Sequence, residues 1–321
     1  MSKTGPVEDL NLRTTTVQWL NRQSQIAAGD RLWDIVRHNL RATLNLVTLV
    51  SELPDTQRML RLGSDILPMY THPVWGSFYK NAEVQRYITQ GFYAIGTLAR
   101  NDDVRLSFHP GQFCVLASDR PDVVENSIAE LEYHVDMARM MGYGASWHDD
   151  GFKINVHIGG KLGPAGFGAT VGRLSEAGRN LITVENDEMS YGLDSVLELK
   201  DVCAIVIDLH HHWIKSGEYI SHDDPRIQQV VDSWRGVRPV MHYSQTKETV
   251  LEGHCQNTLP CLSTLLEGKH SRTKLRAHSD YIWNKAGVDH LRPFLNYFDC
   301  QVEAKQKNLA SSLLANQLDM C

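Results

Sequence analysis

The chain has 321 residues, 42% hydrophobic and 22% charged, with a formal net charge of −6 at pH 7. That length suits one α/β barrel, and the acidic balance argues against a general nucleic-acid coat, so any such contact has to be local. Six cysteines without a CxxC pair read as free thiols of a reducing compartment, and no apolar run approaches the roughly 20 residues of a membrane span, so an intracellular protein (cytoplasm or nucleoid) is expected.

Residues 1–28 read as a polar arm containing Gly5-Pro6, and Asp30 as the N-cap of a helix reaching about Val50, with Leu32, Ile35, Val36, Leu40, Leu44 and Val47 near helical spacing. A strand at 59–63 follows, then a helix at 83–99 and a strand at 104–108 that Pro110-Gly111 stops. A helix at 125–141, closed by Gly142, leads to a strand at 153–157. A helical connector at 165–180 precedes a strand at 181–185, and a helix near 193–199 precedes one at 204–208. Helices at 224–231 and 281–294 precede the last two strands, 239–242 and 298–303. Such alternation implies parallel strands joined by helical crossovers, and the expected fold is a single-domain TIM (β/α)8 barrel over residues 1–321. Only seven strands are evident. The eighth should precede the Asp30 helix, where Val7 to Trp19 is too polar, so the first strand is expected to be missing or irregular.

Six of these strands end on metal-competent side chains: His109, His157, Glu185, Asp208, His242 and Glu303. A TIM barrel gathers its strand C-termini on one rim. Any one such residue is most simply a backbone-satisfied histidine or a helix cap, but this many imidazoles and carboxylates together would repel and go unsatisfied without cations among them. Of His210-His211-His212, only one can face the rim, and His211, one turn of loop beyond Asp208, is favoured. Mixed His and carboxylate ligands suit Zn²⁺ or Mn²⁺, and their number implies two or three ions bridged by a carboxylate, a centre suited to phosphodiester hydrolysis. The remaining histidines, His38, His134, His148, His222, His254, His270 and His290, fall in helices or polar loops and are expected to be solvated.

The stretches Leu62-Gly63-Ser64-Asp65-Ile66-Leu67-Pro68 with His72, His109-Pro110-Gly111-Gln112-Phe113, Val184-Glu185-Asn186-Asp187, Ile207-Asp208-Leu209-His210-His211, Met241-His242-Tyr243-Ser244, Ala277-His278-Ser279-Asp280 and Val302-Glu303-Ala304-Lys305-Gln306-Lys307 resemble the UV-damage endonuclease family, from about Asn11 to Ala310. The resemblance implies a barrel related to endonuclease IV, with up to three divalent ions, usually manganese (zinc or magnesium as alternatives), that nicks damaged double-stranded DNA 5′ to photoproducts. It implies His109, His157 and Glu185 around one ion, and Glu185, Asp208, His242 and Glu303 around a second. A third falls to His211 and His278, of which His278 is invisible to the strand-end pattern. Glu185, Glu303 and His72 are the expected catalytic residues, and Asn11, Gln112 and Phe113 the expected DNA contacts, the last two as a wedge filling the gap left by extruded bases. A monomer without an obligate protein partner or membrane contact is expected.

Two departures from the family matter: the chain is expected to start just after the family's first strand, and Val240 stands where members commonly carry a carboxylated lysine, so the third ion is expected to be the weakest. Two rival functions remain: a metal-dependent sugar isomerase on the same rim, which the net charge favours slightly, and a damage-binding protein whose catalysis has decayed.

Overall fold

The computed structural model describes residues 10–111 and 113–319. In chain order these form α1 (Val17–Leu20), α2 (Gln25–Ser51), β1 (Met59–Leu62), α3 (Ala82–Asn101), β2 (Arg105–Phe108), α4 (Pro121–Met141), β3 (Lys153–His157), α5 (Gly163–Val171), α6 (Glu176–Leu181), β4 (Ile182–Glu185), α7 (Leu193–Leu197), β5 (Ala204–Val206), α8 (Leu209–Ser216), α9 (Pro225–Ser233), β6 (Val240–Tyr243), α10 (Leu262–Glu267), α11 (Arg272–Leu275), α12 (Lys285–Leu291), β7 (Asp299–Val302) and α13 (Asn308–Asp319).

All seven strands run parallel, in the order in which they occur. β1 to β5 form one sheet and β6 pairs with β7. The sheets meet where Asp208 bridges His242 and the His242 N–H donates to the Ile207 carbonyl at 2.9 Å, so the wall continues from β1 to β7. Among the described residues its architecture is that of a TIM barrel short of one strand. No ladder joins β7 to β1 among the described residues, and residues 10–24 carry no strand; Val7 to Asp9 lie outside the described residues. Two side-chain pairs span the gap: Arg61 with Glu303 at 2.5 Å near the strand C-termini, and Arg105 with Asp299 at 2.6 Å near the base. Between them lies a cleft of about 1590 Å³ walled by Leu46 and Leu49 of α2 and by Leu314 and Leu318 of α13.

Alternation sorts each strand. Ile154, Val156, Ile182, Val184 and Ile205 join the apolar layer shared with the helices, while Lys153, Asn155, Thr183 and Glu185 point into the barrel. The base is plugged by Ala204, Val206 and Val240 around fully buried Trp234, whose indole N–H donates to the Ile205 carbonyl.

Several boundaries differ from expectation. The first long helix is capped by Ser24, whose Oγ accepts the Ala27 N–H at 3.2 Å, and Asp30 lies inside it, so the helix takes in the end of the supposed arm. The connector expected at 165–180 is two helices, because Ser175 caps a fresh start at Glu176. The segment after Asp208 is helix α8: the Asp208 Oδ1 accepts the His211 N–H at 2.7 Å. His134 and His148 are buried, at 0% and 1% exposure, each with Nδ1 on a backbone carbonyl.

Candidate metal centre

Six of the seven strands deliver a metal-competent side chain to the same rim. His109 follows β2, His157 ends β3, Glu185 ends β4, Asp208 follows β5, His242 lies in β6 and Glu303 follows β7. Glu185 is the hub. Its Oε2 lies 3.1 Å from His242 Nδ1, 3.5 Å from His109 Nε2 and 3.9 Å from His157 Nε2, and its Oε1 lies 3.4 Å from His211 Nδ1. Glu303 Oε1 lies 3.4 Å from His242 Nδ1. Two donors on one ion at about 2.1 Å each stand about 3–3.5 Å apart, so these separations fit shared cations. Among the described residues three groups converge closely enough to hold an ion: His109, His157 and Glu185; His109, His242 and Glu303; and Glu185, Asp208 and His242. His242 is shared between the last two groups, so Glu303 meets Glu185 and Asp208 through it.

The polar atoms of this rim test whether cations fit. Among the buried side-chain atoms without a hydrogen-bond partner are His157 Nδ1, Glu185 Oε1, Asp208 Oδ2 and His242 Nδ1. Buried donors and acceptors are almost always satisfied, and the orphaned Glu185 Oε1, Asp208 Oδ2 and His242 Nδ1 on neighbouring residues of the rim suit a site built for divalent ions. The charges agree. Burial alone would raise Glu185, but the imidazoles of His242 and His157 outweigh it and hold this carboxyl well below its usual range. Burial likewise opposes Glu303 ionisation, yet His242 and Arg61 bring it to about 2. Asp208 is pushed up, chiefly by burial. Burial also lowers His109, favouring the neutral imidazole that a metal requires.

Beneath these residues lies a layer that reasoning from strand ends alone missed. The Thr183 hydroxyl donates to Asn155 Oδ1 at 2.8 Å, and the Asn155 amide donates to Glu185 Oε2, which fixes the hub carboxylate. Lys153 is 1% exposed, with Nζ 3.4 Å from His242 Nε2, and burial brings its ammonium down to about 7. Its signal was available: a lysine at inward parity with Asn155 and His157 in an otherwise apolar strand.

The three consecutive histidines separate because α8 rotates them about 100° apart. His211 faces the hub; its Nε2 lies 3.7 Å from Glu188, which Arg276 in turn holds at 2.9 Å. His210 turns away. Its Nε2 lies 3.1 Å from Thr246 Oγ1, which itself donates to the Leu275 carbonyl, so Nε2 carries the proton and Nδ1 accepts from Ser244. His212 faces Glu218.

His278 reaches the rim without a strand of its own. Its backbone bridges Thr246, the Lys247 N–H donates to Ala277, and the Lys305 N–H donates to Ser279, so its loop is clamped between the segments after β6 and β7. Its Nδ1 lies 3.9 Å from Glu303 Oε2 and its ring centroid 6.3 Å from that of His211, but neither histidine belongs to a three-residue group. His72 stands apart, its Nδ1 accepting the N–H groups of Val74 and Trp75 at 3.2 Å. Asn11 lines the cleft and accepts from His38 through its carbonyl. Phe113 is 86% exposed, and Gln112 lies outside the described residues.

Comparison with known proteins finds relatives along almost the whole chain. A family model described as UV-endonuclease UvdE matches residues 3–320. The UV DNA damage endonuclease of Bacillus thuringiensis subsp. konkukian (strain 97-27) is 27% identical over 314 residues, covering 92% of this chain and 84% of that one. That of Bacillus cereus (strain ATCC 10987 / NRS 248) is 27% identical over 322 residues, covering 95% and 87%. The crystal structure of SacUVDE superposes with a TM-score of 0.71 at 21% identity, covering 96% of this chain and 92% of that chain, a likeness of fold.

Proposed function

This chain belongs to the UV-endonuclease UvdE family, and from that premise we propose that it hydrolyses the phosphodiester 5′ to ultraviolet photoproducts and other distorting lesions, with the Glu185 hub as its hydrolytic centre. The convergence of orphaned Glu185, Asp208 and His242 atoms carries the proposal. His109, His157 and Glu185 would hold one ion, and Asp208 and His242 a second with Glu185 between them. His109 and His242 would share Glu303. His211 and His278 would hold a third, weakly, because Val240 supplies no donor. Manganese suits this mixture of imidazole and carboxylate, with zinc or magnesium as alternatives. When bound, such ions polarise a phosphodiester and lower the pKa of a water near it.

The chain's own groups prepare that chemistry. Asn155 and Thr183 keep the Glu185 carboxylate in one orientation, and Arg61 holds Glu303. Glu185 and Glu303 would be the carboxylates that meet the reacting groups, and His72 the remaining general acid–base candidate through its Nε2, since its Nδ1 already accepts backbone N–H groups. Phe113, exposed beside His109 on the β2 loop, would enter the stack with Gln112 where pairing is already weak, and Asn11 would contact the DNA at the cleft mouth. The protein would work inside the cell as a single-domain monomer on double-stranded DNA.

Incubation with irradiated and unirradiated supercoiled plasmid and Mn²⁺ tests this reading. Nicking of irradiated plasmid alone is expected. Binding without nicking would mean decayed catalysis, and inertness toward both plasmids would return the sugar isomerase.

A further inference from the structure

The β4 loop presents an apolar side chain that the centre itself does not use. Met189 is 50% exposed and belongs to none of the apolar clusters among the described residues. It lines the same cleft as His109, His157, His278 and Glu303. Its loop is held from both sides. Asp187 accepts the N–H groups of Met189 at 2.7 Å, of Ser190, and of Tyr191 at 2.9 Å, while the Lys215 ammonium donates to the carbonyls of Met189 at 2.6 Å and Ser190 at 3.2 Å. The Tyr191 hydroxyl donates to the Gly160 carbonyl at 2.6 Å and ties the loop to its β3 neighbour. Gly160 sits at φ +88°, and a Cβ there would come 2.3 Å from the Ala117 carbonyl oxygen, so the β3 loop in turn lies tight against the β2 loop that carries Phe113.

The backbone that carries Met189 is thus fixed, and the half-exposed residue lines the cleft onto which the metal centre opens. The adjacent acids are committed: Asp187 to backbone N–H groups, and Glu188 to Arg276 and His211. What the loop offers is a polarizable thioether, a surface matched to the uncharged face of an aromatic ring. In a nuclease of distorted DNA such rings are unpaired bases, which stack without regard to sequence. We infer that Met189 is a specificity-determining contact for the unstacked pyrimidines of the lesion, acting beside the metal centre as Phe113 does from the β2 loop. This inference rests on the nuclease reading.

The test uses the Mn²⁺-loaded protein and a duplex carrying one cyclobutane pyrimidine dimer. Met189→Gln keeps the stem length and removes the thioether; it should raise KM about tenfold, with kcat changing less than about twofold. Met189→Leu, which restores an apolar side chain, should stay within about threefold of the parent KM. Metal equivalents per chain and melting temperature are measured on all three proteins. If the parent nicks the duplex and Met189→Gln has the same KM, the inference fails alone. If Met189→Gln lowers kcat and metal content together, Met189 supports the centre and contacts no base, which also overturns it. A parent inert on this duplex overturns the nuclease reading and the inference with it.

Discussion

Glu303 links three parts of the site: it faces His242, receives Arg61 and lies near His278. Glu303→Gln replaces a charged oxygen with a weak neutral ligand, and nicking of irradiated plasmid should disappear; retained activity would remove Glu303 from the centre. A second prediction concerns a residue remote from the rim. His148 is held at about 3 by burial, with the charges of Arg105, Lys153 and Arg235 acting in the same direction. Its folded value lies below the unfolded one, so the unfolded chain binds more protons between about pH 6.5 and pH 3, and stability falls as pH drops through that window. His148 sits at φ +44°, which asparagine tolerates. His148→Asn should therefore flatten the acid side of the stability curve, by at most about 1.4 kcal/mol per pH unit, and an unchanged urea midpoint profile from pH 7 to pH 4 would refute this. Residues at strand ends were legible in the sequence because period two and a Pro-Gly stop fix where they point. Lys153 was equally legible and passed over. His134 and His148 were misread as solvated because helices and loops also bury polar rings when a carbonyl is near, which spacing does not reveal.

Secondary elements were predictable where a cap or a stop residue was explicit, as at Gly142, whose φ of +95° ends α4. They were misplaced where one polar residue competed with another: Ser24 begins the first long helix, and Asp30 merely rides in it. Helix α8 was hidden because the strand before it and the helix itself share Asp208, which ends one and caps the other within a single residue. Packing of α3 on α4 rests on a close approach that periodicity does not show. Gly96 is buried in α3, and a Cβ there would come 2.0 Å from the Met141 carbonyl oxygen. Gly96→Ala gains helix propensity of about 1 kcal/mol, but it must push the two helices apart, and overpacking costs about 1–3 kcal/mol or more. A lowered melting temperature is expected; a raised one would mean that the helices separate freely.

The barrel as a whole was legible from the alternation of strands and helices, and so was the lack of a strand over residues 10–24, which have no apolar alternation to offer. What the sequence does not show is how the gap is bridged. Arg61 and Arg105 reach across it to Glu303 and Asp299, so the wall and the metal centre share Glu303. Buried carboxylates at Glu185 and Asp208 make the protein depend on countercharge, and chelation should lower the melting temperature, whereas excess Mn²⁺ at about 1,000 times its dissociation constant should add roughly 4 kcal/mol. Indifference to chelator would mean that Arg61, Lys153 and the imidazoles already balance the rim. The most direct measurement is to strip the protein of metal, return Mn²⁺ stepwise, and follow bound equivalents together with nicking 5′ to a single photoproduct. Nicking should be absent at first and complete at about two tightly held equivalents, with a third binding weakly because Val240 offers no donor. Full nicking by the stripped protein would contradict the account.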